Sequence, residues 1–251
     1  MVFQDTKNSG RKPYMEDQVF LLGIRPKRMV SSDLFVLTVA DGVGACVHSD
    51  KVAFEALALF VDEINRFLLK NEEKLVAITA TIDSTKELLW TWLTQDALKN
   101  VNARLLQTFP GEDIGTTITA AIAFAGEVFV CGVGDSPAYL LHGDEMEQLL
   151  ELDHLKGRRN VLTESLGDLH GVRPHFARRP FTLDDRLVLG SDGAFGALPE
   201  AEIQRILSQR DARSSTGWSR TLLETLCREA AETTDDNQAA ALLLCDNRWY
   251  I

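Results

Sequence analysis

Apolar residues follow two different periods along this chain, and the changes of period mark its elements. Short dense runs rich in Val, Ile, Leu, Thr and Phe occupy residues 18–24, 34–40, 116–125, 128–133, 138–142, 186–190 and 238–245, bounded by Gly, Asp or Asn. Their length and content predict β-strands. Elsewhere the spacing lengthens to three and four residues. Val52, Ala56, Leu59, Phe60, Ile64, Phe67 and Leu68 predict an amphipathic helix over 50–69. A second helix is predicted from Ser84, with Glu87 completing a capping box, to about residue 109. It carries Leu88, Leu89, Trp92, Leu93, Leu98, Val101 and Leu105 on its apolar face. Trp90 and Trp92, two residues apart on this helix, cannot share a face. Pro199 suits the first turn of a third helix ending near Ser208, and a fourth covers about 218–232.

The order of these elements restricts the architecture. The helices come as two pairs, one after the second strand and one before the last. Short turns such as Ala125-Gly126-Glu127 and Gly143-Asp144 join most of the other strands. That segregation favours α+β layers, with sheets covered by helices, over a parallel doubly wound sheet. No repeat, low-complexity stretch or linker divides the chain, so residues 1–251 read as a single domain.

Composition adds exclusions. An apolar fraction of 45% and a charged fraction of 25% are those of a soluble globular protein. A net charge of −11 argues against broad binding to nucleic acid or to an anionic membrane. An anionic substrate would need local cations. The four cysteines, Cys46, Cys131, Cys227 and Cys245, match no zinc spacing and read as reduced core residues. The first 17 residues are polar and lack a secretory apolar segment, and no run approaches the ~20 apolar residues that span a bilayer. The expected location is the cytoplasm.

Acidic motifs stand at the ends of the apolar runs. Met15-Glu16-Asp17 precedes the first, Asp41-Gly42 follows the second, Ser191-Asp192-Gly193 follows the sixth, and Asp236-Asn237 opens the last. Carboxylates at strand ends converge on one rim, where mutual repulsion and desolvation are costly unless a cation neutralises them. Hard divalent ions such as magnesium and manganese prefer oxygen ligands of this kind. The motifs reach from residue 11 to residue 237, so both chain ends must build one site.

Six segments in order, at residues 11–17, 35–44, 115–117, 133–140, 187–193 and 234–244, resemble the PPM-type metal-dependent protein phosphatases, the protein phosphatase 2C family, in its bacterial form. The resemblance implies a four-layer α-β-β-α sandwich of two mostly antiparallel sheets with helix pairs outside. It implies two manganese or magnesium ions at the core site. Asp41 would bridge them and the Gly42 carbonyl would add a ligand. Glu16 and Asp17 would serve one ion, directly or through water, and Asp192 and Asp236 the other. Asp135, in Gly134-Asp135-Ser136, matches a position linked to a third, weaker ion. Asp235 would stand beside the ligands. The implied mechanism is in-line attack on a phosphomonoester by a hydroxide bridging two ions about 4 Å apart, with no serine or cysteine nucleophile.

The chain departs from the family pattern in four places. The spacing of the phosphate-binding arginine falls on Lys12, with Arg11 one residue too far, so either could contact phosphate. A lysine binds phosphate as a point charge rather than bidentately. Ala45-Cys46 replaces a frequent Gly-His, and His48, two positions on, reads as a surface residue. Pro137 stands where an arginine is usual. Only residues 155–159, with Lys156, Arg158 and Arg159, occupy the place of the family's flap subdomain, leaving a short basic loop and a more open site. The implied activity is that of a serine/threonine protein phosphatase acting on a phosphorylated protein, paired with a cognate Ser/Thr kinase. The rivals are a regulatory pseudophosphatase that binds a phosphoprotein without efficient turnover and a metal-dependent nuclease. The acidic charge and the lack of a basic groove disfavour the nuclease.

Overall fold

In a computed structural model, residues 2–10, 12, 14–25, 33–76, 81–156, 158–209 and 216–245 are described. Two five-stranded antiparallel sheets dominate. The first contains β1 (Val2–Asn8), β12 (Gln238–Leu244), β11 (Arg186–Gly190), β6 (Ala138–His142) and β7 (Glu145–Gln148), in that order across the sheet. The second runs β10 (His175–Pro180), β5 (Glu127–Val133), β4 (Ile118–Phe124), β3 (Leu34–Ala40) and β2 (Gln18–Ile24). A small hairpin pairs β8 (His154–Leu155) with β9 (Arg158–Leu162).

The strand runs are dense in apolar residues because both faces of each sheet are covered. Successive side chains point to opposite faces. On β3, Leu37 and Val39 enter the core between the sheets, while Leu34, Val36 and Ala40 pack toward helices. On β12, Ala239, Ala241 and Leu243 face the other sheet, and Ala240 and Leu242 face the opposite helix layer. Those helices are α1 (Ser49–Lys70), α2 (Glu72–Val76), α3 (Ile82–Trp92) and α4 (Leu98–Thr108) on one side. On the other lie α5 (Asp192–Phe195), α6 (Glu200–Leu207) and α7 (Thr216–Ala231). The layers are helix, sheet, sheet, helix, as the resemblance implies.

Several predicted boundaries move. The third run shortens to Ile118–Phe124, because Thr116 makes isolated bridges to Gly42 and Leu166 instead of joining the ladder. The capping box lies one turn earlier than predicted. Thr81 is the cap, its side chain accepting the Ser84 N–H at 3.0 Å while Ser84 Oγ accepts the Thr81 N–H at 2.9 Å. Glu87 instead pairs with Arg178 Nη1 on β10 at 2.6 Å. The second helix is also not continuous, since a π-helical turn at Leu93–Ala97 separates α3 from α4. Trp92 contacts Phe67 and Phe60, while Trp90 contacts Phe129 and Phe176, so the two rings do face different partners. Pro199 is the cap of α6 and not its first residue.

Five strands, β1, β7, β8, β9 and β10, were not visible as apolar runs. β1 pairs along its whole length with β12, and β7 and β10 also close sheet edges. Edge strands tolerate charge, and here they carry Asp5, Lys7, Glu145, Glu147, Arg178 and Arg179. The basic segment at 155–159 is part of the β8–β9 hairpin and not a plain loop. Cys131, Cys227 and Cys245 are buried, and Cys46 is half-buried. No helix among the described residues is long and apolar enough to cross a membrane.

Candidate active site

The acidic motifs meet on one rim because strand ends and backbone locks bring them there. Asp41 follows β3 directly. Its N–H donates to Thr117 Oγ1 at 2.9 Å, and its carbonyl accepts the Thr117 N–H at 2.8 Å and the Thr116 hydroxyl at 2.9 Å. Gly42 lies against the first turn of α1, where a Cβ would run into the Ser49 carbonyl. Asp192 starts α5 immediately after β11. The preceding Ser191 is bound to β12 in both directions, its N–H to the Ala239 carbonyl at 2.9 Å and its Oγ to the Ala239 N–H at 3.0 Å. Gly193 lets α5 touch the Asn237 carbonyl, which a side chain would block.

Asn237 joins the two ends of the chain. Its Oδ1 accepts the Glu16 N–H at 2.7 Å, and its Nδ2 donates to the Ser9 and Tyr14 carbonyls at 2.8 and 3.1 Å. Glu16 is held further by the Ser49 hydroxyl, which donates to Oε1 at 2.5 Å. Lys12 completes the enclosure, with its ammonium 3.0 Å from Glu16 Oε2 and 2.5 Å from Asp236 Oδ1. Those two carboxylates hold the Lys12 pKa above the ordinary lysine value, although burial alone would lower it. Arg11 lies outside the described residues.

The electrostatics of this rim are unfavourable to a protein of amino acids alone. Asp17 is 1% exposed, and neither of its carboxylate oxygens has a hydrogen-bond partner. Burial, with the Asp192 and Asp236 charges added, pushes its carboxyl up to about 7. Asp192 Oδ1 is likewise buried without a partner. Desolvation and the neighbouring Asp17 and Asp192 charges raise Asp41 well above the usual carboxylate range. Asp135 rises to about 7, first by burial and then by the charges of Asp192, Asp153 and Asp236.

Oxygen donors of this kind fit a hard divalent cation, which would satisfy the orphaned lone pairs and offset the repulsion. Among the described residues no three His, Cys, Asp or Glu side chains already form a closed ligand group. Unpaired buried oxygens, and not a preformed coordination shell, are what a metal ion would satisfy here.

A cleft of about 1140 Å³ opens beside Asp135, Asp192 and Asp236. Tyr139, Phe195 and Leu198 contribute apolar wall, and Lys156 of the hairpin and Glu200 of α6 contribute charge. Pro137 also lines it, and its carbonyl accepts the Gly190 N–H. Asp153 accepts the Gly134 N–H at 2.9 Å and faces His175 Nε2 at 2.8 Å, fixing the turn that carries Asp135. His48 is exposed, and its nearest charged partner is Glu112 at 3.8 Å.

The structure thus brings Lys12, Glu16, Asp17, Asp41, Gly42, Asp192 and Asp236 to one rim, with Asp135 and Asp192 both bordering the cleft. Ser49 and His175 were not singled out from sequence, and Thr117, Asp153 and Ser191 stood only inside family-like segments, with no supporting role assigned. Nothing in their local pattern separates a long-range hydrogen-bond partner from an ordinary polar residue. Asn237 was noted only as the neighbour of Asp236.

Comparison with known proteins bears on the family and the fold. The family model described as Protein phosphatase 2C matches residues 27–243. A serine/threonine phosphatase stp from Listeria innocua is 31% identical over 197 residues, covering 70% of this chain and 72% of the relative. The crystal structure of the serine/threonine phosphatase Stp1 from Staphylococcus aureus superposes with a TM-score of 0.72 at 21% identity, over 98% of this chain and 96% of the other. The PPM Ser-Thr phosphatase MsPP from Mycobacterium smegmatis, solved with cacodylate, gives 0.66 at 20% identity, over 96% and 97%. At these identities the two structures show a shared fold.

Proposed function

Since the chain belongs to the protein phosphatase 2C family, we propose that it is a metal-dependent phosphatase of phosphoserine and phosphothreonine in proteins. The observation that carries the metal requirement is the set of buried, unpartnered oxygens on Asp17 and Asp192. Manganese or magnesium would be held by Glu16, Asp17, Asp41 and the Gly42 carbonyl on one side, and by Asp41, Asp192 and Asp236 on the other. Asp135 would take a third, weaker ion. The chemistry such ions supply when bound is activation of a water and neutralisation of phosphoryl charge.

The chain's own residues do the rest. Thr116 and Thr117 fix Asp41, and Asn237 and Ser49 fix Glu16, so the acidic groups are oriented before substrate arrives. Lys12 is the cation at the rim suited to a phosphoryl oxygen. The cleft would receive the polypeptide around the phosphoresidue. Cysteine chemistry has no support here, since burial pushes the Cys227 thiol up to about 12 and raises Cys131 as well. The substrate class implies a Ser/Thr kinase acting in opposition, and the site draws on residues from 12 to 236, so residues 1–251 act as one catalytic unit. The reading places the protein in the cytoplasm.

A second reading, a regulatory pseudophosphatase, is favoured by one observation, the engagement of Lys12 with Glu16 and Asp236 in place of a free phosphate-binding arginine. Hydrolysis of p-nitrophenyl phosphate by purified protein, with Mn²⁺, with Mg²⁺ and with EDTA, separates the two. The enzyme reading expects turnover that needs metal. A folded protein that binds Mn²⁺ yet hydrolyses nothing would transfer support to the pseudophosphatase.

A further inference from the structure

Lys12 sits where a divalent cation would need carboxylate charge to be free. Its ammonium contacts Asp236 Oδ1 at 2.5 Å and Glu16 Oε2 at 3.0 Å. Neither carboxylate is loose. Glu16 is anchored through its backbone to Asn237 and through Oε1 to Ser49. Asp236 Oδ1 also accepts the Asn237 N–H at 2.8 Å. The lysine is the member whose side chain makes no further hydrogen bond among the described residues, and it keeps 35% of its surface in solvent, against 34% for Asp236 and 15% for Glu16. A lysine has a flexible four-carbon stem and a compact charge, so it can swing away more readily than a bidentate arginine.

We infer that Lys12 is a tethered counterion of the metal site, holding Glu16 and Asp236 together in the metal-free protein and releasing them when a divalent cation binds. Two cations cannot share these oxygens without strong repulsion, so occupancy by one excludes close contact by the other. Release would leave the ammonium beside the cleft, available to an anionic group. Metal loading and capture of a phosphoryl group would then be coupled through one side chain. The inference rests on the metal part of the proposed function and needs no turnover for its test.

The test is calorimetric titration of Mn²⁺ into wild type, Lys12→Gln, Lys12→Arg and Lys7→Gln, with melting curves in EDTA and in saturating Mn²⁺. Lys7 is a control cation on β1, bonded to Gln18 Oε1 at 2.8 Å. Lys12→Gln should bind Mn²⁺ roughly tenfold more tightly, a change equivalent to removing one competing ion pair. Lys12→Arg, which keeps the pairing and grips it better, should bind severalfold more weakly. Lys7→Gln should match wild type. Lys12→Gln should also melt lower than wild type in EDTA, with the gap closing in Mn²⁺. Unchanged or weaker Mn²⁺ binding by Lys12→Gln would overturn the inference, as would equal tightening in Lys7→Gln. A melting deficit that persists undiminished in Mn²⁺ would mark a fixed structural pair instead. Failure of wild type to bind Mn²⁺ would overturn the metal reading and this inference together. Mn²⁺ binding without hydrolysis would count against the enzyme reading alone.

Discussion

Asp17 shows how a single carboxylate can reveal an absent partner. It is buried, its oxygens lack hydrogen bonds, and its pKa rises to about 7 from an ordinary value near 3.8. The folded protein without metal therefore holds a proton that the unfolded chain has lost across that interval. Stability present at low pH must then fall as pH rises from about 4 to about 7, because ionisation is disfavoured only in the folded state. Melting in EDTA should show that decline, and Asp17→Asn should lessen it and stabilise the metal-free protein at pH 8, with Asp41 and Asp135, whose carboxyls are also raised, keeping part of the slope. An unchanged pH slope in the variant would remove Asp17 as its cause. Asp41 and Asp192 are predicted to be essential to activity. Asp41→Asn and Asp192→Asn should each lower phosphatase turnover by at least ~10³-fold while leaving the circular dichroism spectrum intact. Full activity in either would reject the assignment of that residue. At this scale the sequence was informative about charge and silent about support. An Asp after a strand can be read locally, whereas the Asn237–Glu16 bond joins residues far apart in the chain and has no local mark.

At the scale of elements, legibility followed burial. β2, β3, β6 and β11 matched their predicted boundaries, β3, β6 and β11 because apolar residues cover both of their faces, and β2, a half-buried edge strand, because its run stays apolar at Val19, Phe20, Leu21, Leu22 and Ile24. β1, β7 and β10 were missed because an edge strand can be polar and still gain its ladder hydrogen bonds. The start of α3 was misread because Ser84-x-x-Glu87 fits a capping pattern, but Thr81 and Ser84 form the actual box. Thr81→Ala should therefore cost ~1 kcal/mol in chemical denaturation. Glu87→Ala, which removes an exposed ion pair, should stay within ~0.5 kcal/mol. The reverse ranking would restore the original reading of that helix start. Asn237→Ala should be the more damaging substitution, at ~2–3 kcal/mol, because it leaves the Glu16 N–H and the Ser9 and Tyr14 carbonyls without their partner. We propose that the β8–β9 hairpin takes the place of the family's flap. Replacing it with a full flap should narrow the range of phosphopeptides hydrolysed, and unchanged selectivity would show that the hairpin does not set specificity.

For the whole molecule, two apolar sheets with helices outside build a rigid frame, and the frame's rim collects the acids. The arrangement explains why motifs at opposite ends of the chain are both needed. β12 pairs with β1 and β11, so Asp236, the segment leading to Glu16 and Asp192 are carried by three adjoining strands. The net charge of −11 gives the molecule a repulsive field for acidic partners, while the rim must still take in a phosphate. Phosphopeptides flanked by Arg should accordingly be hydrolysed with higher kcat/KM than those flanked by Glu, with the difference shrinking at high salt. A salt-independent ratio would place the selectivity in the cleft and not in the overall field. Only the arrangement of helices and apolar strands followed from periodicity. Their segregation pointed to sheets covered by helices, whereas the four-layer sandwich and the ligand roles came from the order of six short motifs, none of them specific alone.

We propose that the acidic rim performs metal-dependent hydrolysis of a phosphorylated hydroxyl side chain. The measurement to make is phosphate release from a phosphothreonine peptide by wild type and by Asp192→Asn, each with Mn²⁺ and with EDTA. Wild type should release phosphate in Mn²⁺ and lose that release in EDTA, and the variant should release none under either condition. Release that continues in EDTA, or that survives Asp192→Asn, would contradict it.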